Sequence, residues 1–213
     1  MTNAVTWTPG LSACPVPWSV ELANAVAREL LGDGERYRHS QGVAERAREL
    51  SITVPADRAD LLISAAWLHD IGYAASLRRT GFHPLDGARE LMSRGADTAL
   101  VRLVANHSAA RLVACVRRLD EEMAAFAPLP GPVADALTAA DQTVGPEGAA
   151  MTVDERMRDM LNRHGPDSPH ARVHAVRGPQ LRATATRVAS RLARLGVTDP
   201  WLSSWPSETS AAS

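Results

Sequence analysis

Apolar residues recur along most of this chain at offsets of three and four, the period of an amphipathic α-helix, and no stretch alternates as a half-buried strand would. Leu22, Val26 and Leu30 predict a first helix from Pro17-Trp18-Ser19 to Leu31, stopped by Gly32-Asp33-Gly34. His39, Val43, Ala47 and Leu50 share one face of a second, over residues 35–50. Pro55-Ala56-Asp57 opens a third, which carries Leu61, Leu62, Ala65, Ala66 and His69 and ends at Gly72. A loop over 73–82 follows. Pro84 then suits the first turn of a fourth helix that begins at Phe82-His83 and ends at Gly95. Leu100, Leu103, Val104 and His107 form the stripe of a fifth helix over 97–109, and Val113, Val116, Leu119 and Met123 that of a helix over 111–126.

Pro128-Leu129-Pro130-Gly131-Pro132 breaks the chain ahead of a short helix over 133–143. Thr152 and Glu155 are spaced as a capping box for a helix reaching His164, and a last helix runs from Pro179 to Gly196 with Leu181, Val188, Leu192 and Leu195 inward. Residues 1–16 have no periodic pattern and read as a poorly ordered arm, while 197–213 form a tail that ends Ser/Ala-rich. Short linkers and the absence of a repeat predict one all-α domain over 17–196, an orthogonal helical bundle.

Composition narrows the function classes. With 45% hydrophobic and 22% charged residues the chain of 213 is an ordinary globular one. A net charge of -1 gives no general attraction for a nucleic-acid polymer or an anionic membrane, so anion binding must be local. No uninterrupted apolar run has the length of a bilayer span, and no basic, apolar leader opens the chain, so a cytoplasmic location is expected. Cys14 and Cys115 lack zinc-knuckle spacing. All 23 cationic side chains are Arg. Lysine chemistry is therefore excluded, and phosphate recognition must use guanidinium, backbone N–H or metal.

The chemistry lies where polar residues interrupt apolar faces. His39, His69 and His107 each continue an inward row, Asp70 follows His69 at a helix end, His83 opens a helix, and Asp141 follows Leu-Thr-Ala-Ala. An imidazole or carboxylate buried there needs compensation. Adjacent helical residues diverge by about 100°, so His69 and Asp70 converge only if the helix ends or bends between them. A salt bridge could satisfy the pair alone. Together the six residues, four imidazoles and two carboxylates, suffice for one or two divalent cations among Mn, Fe, Co, Ni and Zn, with Asp70 as a candidate bridge. His69 and Asp70 would then be the catalytic centre, and metal-activated water the nucleophile. Arg36, Arg38, Tyr73, Arg78, Arg79 and Thr143 are the candidate substrate contacts around it, the arginines for phosphate.

The ordered series His39, His69-Asp70, His83, His107, Asp141 resembles the HD superfamily of metal-dependent phosphohydrolases, in its dinuclear branch, over residues 35–145. The resemblance implies the all-helical HD fold and a hydrolase acting on a nucleotide or other small phosphorylated molecule. R-Y-R-H-S-Q-G-V-A is similar to the opening of bacterial enzymes that split diadenosine tetraphosphate symmetrically. Their lysine after the dyad is missing here, and Asp141 is followed by Gln-Thr-Val-Gly. Asn106-His107-Ser108 likewise lacks the Gly-Tyr-Pro signature of the cyclic-di-GMP branch. The same series resembles the mixed-valence di-iron oxygenases of the myo-inositol oxygenase group, and a non-catalytic metal-binding signalling domain is the third alternative.

Overall fold

The structure, a computed structural model, describes residues 18–202; the expected arm over 1–16 and most of the expected tail lie outside them. Ten α-helices occur among these residues: α1 (Val20–Leu31), α2 (Glu35–Leu50), α3 (Ala59–Leu68), α4 (His83–Ser93), α5 (Thr98–Asn106), α6 (Ala110–Val116), α7 (Asp120–Ala124), α8 (Pro132–Gln142), α9 (Val153–His164) and α10 (Pro169–Arg194). No strand occurs among them, only an isolated bridge between Val144 and Ala150. The fold is all-α.

Local chemistry accounts for several helix ends. Ser19 caps α1 through the backbone N–H of Leu22, and Gly32 closes it with φ +65°. The Thr152–Glu155 capping box opens α9 with both of its hydrogen bonds formed. On α1 the buried stripe is Ala23, Val26 and Ala27, with Leu22 turned to solvent, one position round from the expected row. The helix expected over 111–126 is two, α6 and α7, because Arg118 takes φ +58° between them. The last helix starts ten residues earlier than expected. Ser168 caps α10 at Ala171 N–H and Pro169 occupies its first turn, so Pro179 lies inside the helix on an exposed side. A proline inside a helix removes one ladder hydrogen bond, and here the apolar positions Leu181, Ala185, Val188 and Leu192 hold the segment onto the body.

Residues from α1 to α10 share one buried apolar cluster, centred on α3, whose Leu62, Ala65, Ala66 and Leu68 are fully buried. α2, α1 and α8 surround α3, while α10 packs along α8. Thr98–Val116 has the mean hydropathy and length of a bilayer span, although Arg102, His107 and Arg111 interrupt it as an apolar run. Left-handed residues at Ser108 and Ala109 break it, and its buried side belongs to the shared core.

Candidate metal centre

α3 stops at Leu68, so His69 is its last cap and Asp70, at φ −104° and ψ 4°, has already left the helix. That turn removes the divergence of adjacent helical side chains. Gly72, expected to terminate the helix, has another task. A Cβ there would lie 2.0 Å from the carbonyl oxygen of His83 and 2.7 Å from the nitrogen of Gly87, so only glycine lets this turn press against the start of α4. The contact carries His83 to Asp70. The carboxylate of Asp86 accepts hydrogen bonds from the backbone N–H groups of Arg79, Thr80 and Gly81, while Arg117 holds the carbonyls of Thr80 and Gly81. The 78–82 loop is thereby pinned from both sides.

All six candidate ligands meet in one place. Nε2 of His39 lies 3.2 Å from Oδ1 of Asp141 and 3.4 Å from Nε2 of His69. Oδ1 of Asp70 is 3.5 Å from His69 Nε2 and 3.3 Å from His83 Nε2, and His83 Nε2 is 3.3 Å from its counterpart on His107. His39, His69 and Asp141 form one grouping able to hold an ion, and His69, Asp70 and His107 a second. His69 is common to both, whereas Asp70 was the expected bridge. Asp70 still reaches across, with Oδ2 at 3.9 Å from His39.

Three of the rings are oriented from behind. Nδ1 of His39 lies 2.9 Å from the carbonyl of Gly145, that of His69 2.8 Å from Ala66 and that of His107 2.7 Å from Val104. Each Nδ1–H donates there, which leaves Nε2 as a lone pair aimed at the centre. The lone pairs of His39 and His69 then face each other, an arrangement that a cation between them stabilises. The donor set therefore fits a divalent metal of imidazole and carboxylate preference. Gly42 and Gly148 set the first of these contacts: a Cβ on Gly42 would come within 2.6 Å of the Gly148 oxygen, so their absence of side chains lets the 145–148 loop lie on α2.

Electrostatics agree. Burial alone would raise the carboxyl of Asp70, but positive charge at the surrounding imidazole cluster, whether a proton or a metal ion, and the Arg36 guanidinium outweigh it and hold the group below the usual carboxylate range. Asp141 is likewise held low against burial by positive charge at the His39–His69 pair, whether a proton or a metal ion, and by Arg156. Burial, with neighbouring imidazoles, lowers His83 and His107 and keeps them neutral, the form that binds metal. Oδ2 of Asp141 accepts from the hydroxyl of Ser108 and, at 2.8 Å, from Nε2 of Gln142, leaving Oδ1 for the centre.

The candidate substrate contacts divide. Arg36 donates to Oδ2 of Asp70 at 3.1 Å and lies over the ring of Tyr73, which stacks on His83 at 4.0 Å. Burial, with Asp70, raises the Tyr73 phenol to about 12, so it stays protonated. The other four stand elsewhere. Arg38 points away to Glu147 and the Asp33 carbonyl. Arg78 and Arg79 are exposed and line no part of the pocket. Thr143 is fully buried, accepting from Arg46 and donating to the Ala139 carbonyl. For Arg78 and Arg79 the cause is side-chain direction, which spacing in a loop does not set; Arg38 on α2 is drawn outward by Glu147, and Thr143 at the end of α8 turns back into the core.

Sequence reasoning missed the far wall. Arg156, Met160 and Arg163 of α9 and His170 and Arg177 of α10 line the same pocket as the cluster. His164 and His170 stack at 4.6 Å beside it. These positions sit in polar helices whose pattern carries no signal; only the adjacency of Ser108 to His107 and of Gln142 to Asp141 could have flagged those two. A family model described as HD domain matches residues 36–144, just over half of the chain, and spans all six converging residues. No curated protein and no solved structure matches the chain.

Proposed function

Because the chain belongs to the HD-domain family, we propose that it is a metal-dependent phosphohydrolase, cleaving a phosphoester or phosphoanhydride of a nucleotide or other small molecule with metal-activated water. The observation that carries this reading is the facing pair of Nε2 atoms of His39 and His69, 3.4 Å apart, with carboxylate oxygens of Asp70 and Asp141 between 3.2 and 3.9 Å from them. His39, His69 and Asp141 would hold one ion, and Asp70, His83 and His107, with His69 shared, would hold another. Such ions supply Lewis acidity to a phosphoryl oxygen and lower the pKa of water. The chain's own residues do the rest. The backbone carbonyls of Gly145, Ala66 and Val104 fix ring orientation. Ser108 and Gln142 aim Asp141. Arg36 sits where it can pass from Asp70 to a substrate oxygen, and Tyr73 offers a phenolic O–H at the same wall.

The test starts with element analysis of protein purified without added metal, followed by a phosphoester panel with Mn, Co, Ni or Fe supplied. We expect hydrolysis that falls on the order of 100-fold or more in His69→Ala and Asp70→Asn, together with loss of bound metal. Absence of phosphate or nucleotide release across the panel overturns the reading. So does iron at about two per chain with a mixed-valence signal and oxygen uptake, which is the oxygenase outcome. Full biological activity of a folded Asp70→Ala protein would indicate a non-catalytic module instead.

A further inference from the structure

α9 and α10 lie beyond the segment matched by the HD family, and they bring to the pocket a cation without a counter-ion. Arg177 is only 6% exposed. Its Nε donates to the carbonyl of Ser108 at 3.0 Å, while Nη1 has no hydrogen-bond partner among the described residues. Asp141 and Tyr73 feel its charge across the pocket, but the guanidinium forms no ion pair with either. Arg36 and Arg156 differ: the first rests on Asp70, the second on Asp159 at 3.3 Å with Asp141 at 3.8 Å. Arg156 also has a buried Nε without a partner. A buried guanidinium is tolerated when an anion completes it, and the fork geometry of Arg suits the oxygens of a phosphoryl group.

Charge and space define that anion. The pocket is lined by Arg36, Arg156, Arg163 and Arg177 against Asp70 and Asp141, and Asp159 behind it pairs with both Arg156 and Arg163, so four positive charges meet three negative. Divalent ions would add to the excess. The cavity is about 60 Å³, and a water needs roughly 10–15 Å³, so the inner space suits a compact oxyanion and not a larger group. The rest of a larger molecule would have to pass the exposed rim at Arg163 and His164. A terminal phosphoryl group carries about two charges and three free oxygens. An internal diester carries one charge, has two free oxygens, and needs an exit on both sides.

We propose that Arg177, supported by Arg156, is the seat for the non-bridging oxygens of a terminal phosphoryl group, so that the substrate is a phosphomonoester or a terminal phosphoanhydride and not an internal diester. This deepens the hydrolase reading and rests on it. The Ser108 carbonyl fixes the seat beside the centre, because Ser108 also holds Asp141.

Inorganic phosphate and dimethyl phosphate are the probes, titrated calorimetrically into the manganese-loaded full chain, with the manganese content of each variant measured. Wild type is expected to bind one phosphate per chain at least about tenfold more tightly than dimethyl phosphate. Arg177→Gln should weaken phosphate by about tenfold or more with manganese content unchanged, and Arg177→Lys, which keeps charge but not the fork, should weaken it less. Phosphate should also raise the thermal midpoint of wild type and not that of Arg177→Gln. Equal phosphate affinity in wild type and Arg177→Gln overturns the seat, as does equal affinity for the two probes. A variant that melts earlier yet keeps its phosphate shift makes Arg177 structural only. Should Arg177→Gln not fold, Arg156→Gln must show the weakened phosphate binding, and unaltered binding there overturns the proposal. Arg177-dependent phosphate binding by a protein that hydrolyses no phosphoester keeps the seat and removes the hydrolase reading. Hydrolysis with an unchanged KM in Arg177→Gln does the reverse.

Discussion

His39 and His69 each commit Nδ1 to a backbone carbonyl, and their remaining nitrogens point at one another 3.4 Å apart. Two lone pairs and two ionised carboxylates, packed together in a buried site, favour an ion that bridges them. Chelation should therefore lower the thermal midpoint. For an ion present at about 100 times its dissociation constant the lost stabilisation is about 2.7 kcal/mol, which in a domain of this size is about 5–10 °C. Differential scanning fluorimetry with and without chelator, then with metal restored, measures it; an unmoved midpoint would show that the cluster holds no ion. Gly72 offers a prediction of a different kind. Its missing Cβ is what allows the backbone of His83 to close in, at 2.0 Å from where that atom would stand. Gly72→Ala forces backbone apart and should cost about 3 kcal/mol in denaturant unfolding, with weaker metal retention because His83 moves. Wild-type stability in that variant would show that the turn has room to yield.

Helices meet here through apolar stripes, with a few ionic ties between them. Asp135, buried on α8, accepts from Arg187 at 2.6 Å and from Arg191 at 2.6 Å, both on α10. Burial raises its carboxyl, but the two guanidinium groups outweigh that and hold it below the ordinary value. A lowered folded pKa means that the tie stabilises above the unfolded carboxylate pKa of about 3.9 and is lost as pH falls through the folded value. Asp135→Asn should destabilise by about 1–2 kcal/mol near pH 7, a modest figure because Arg187 is half exposed. The gap between variant and wild type should shrink toward pH 3, as denaturant titrations at several pH values would reveal; a gap constant with pH would assign the effect to packing. α10 also shows how an element start can be misread. Pro169 after Ser168 and Pro179 after Gly178 both look like helix openings. The helix runs through the second because its apolar face, from Leu181 to Leu192, remains packed on the body.

For the molecule as a whole, the family segment does not contain all of its own core. Met157 on α9 and Leu181, Val188 and Leu192 on α10 are buried in the cluster shared with α3 and α8. Cutting the chain after residue 150 would expose their partners, and we expect a protein without a cooperative thermal transition, prone to aggregate, with no phosphate binding. A soluble, cooperatively melting fragment would show that α9 and α10 are appended to a core complete without them. The same two helices close the pocket, so stability and recognition share one packing surface.

The helical class and the six ligand candidates were legible in the chain because both are written locally, in the periodicity of the helices and in the residues at their ends. Apolar residues at helical offsets dictate which side turns inward, and a polar residue that continues an inward row must find compensation wherever the helices meet. His39, His69 and His107 are such residues, and all three are buried at the centre. The wall opposite them is not local. Arg38 and Arg177 are both arginines on polar helices, yet one is drawn outward by Glu147 and the other is enclosed beside Ser108. Nothing within a turn of either residue distinguishes them. Their roles come from which helix packs over which end of the cluster, and that depends on contacts between residues more than a hundred positions apart in the first case and 69 in the second.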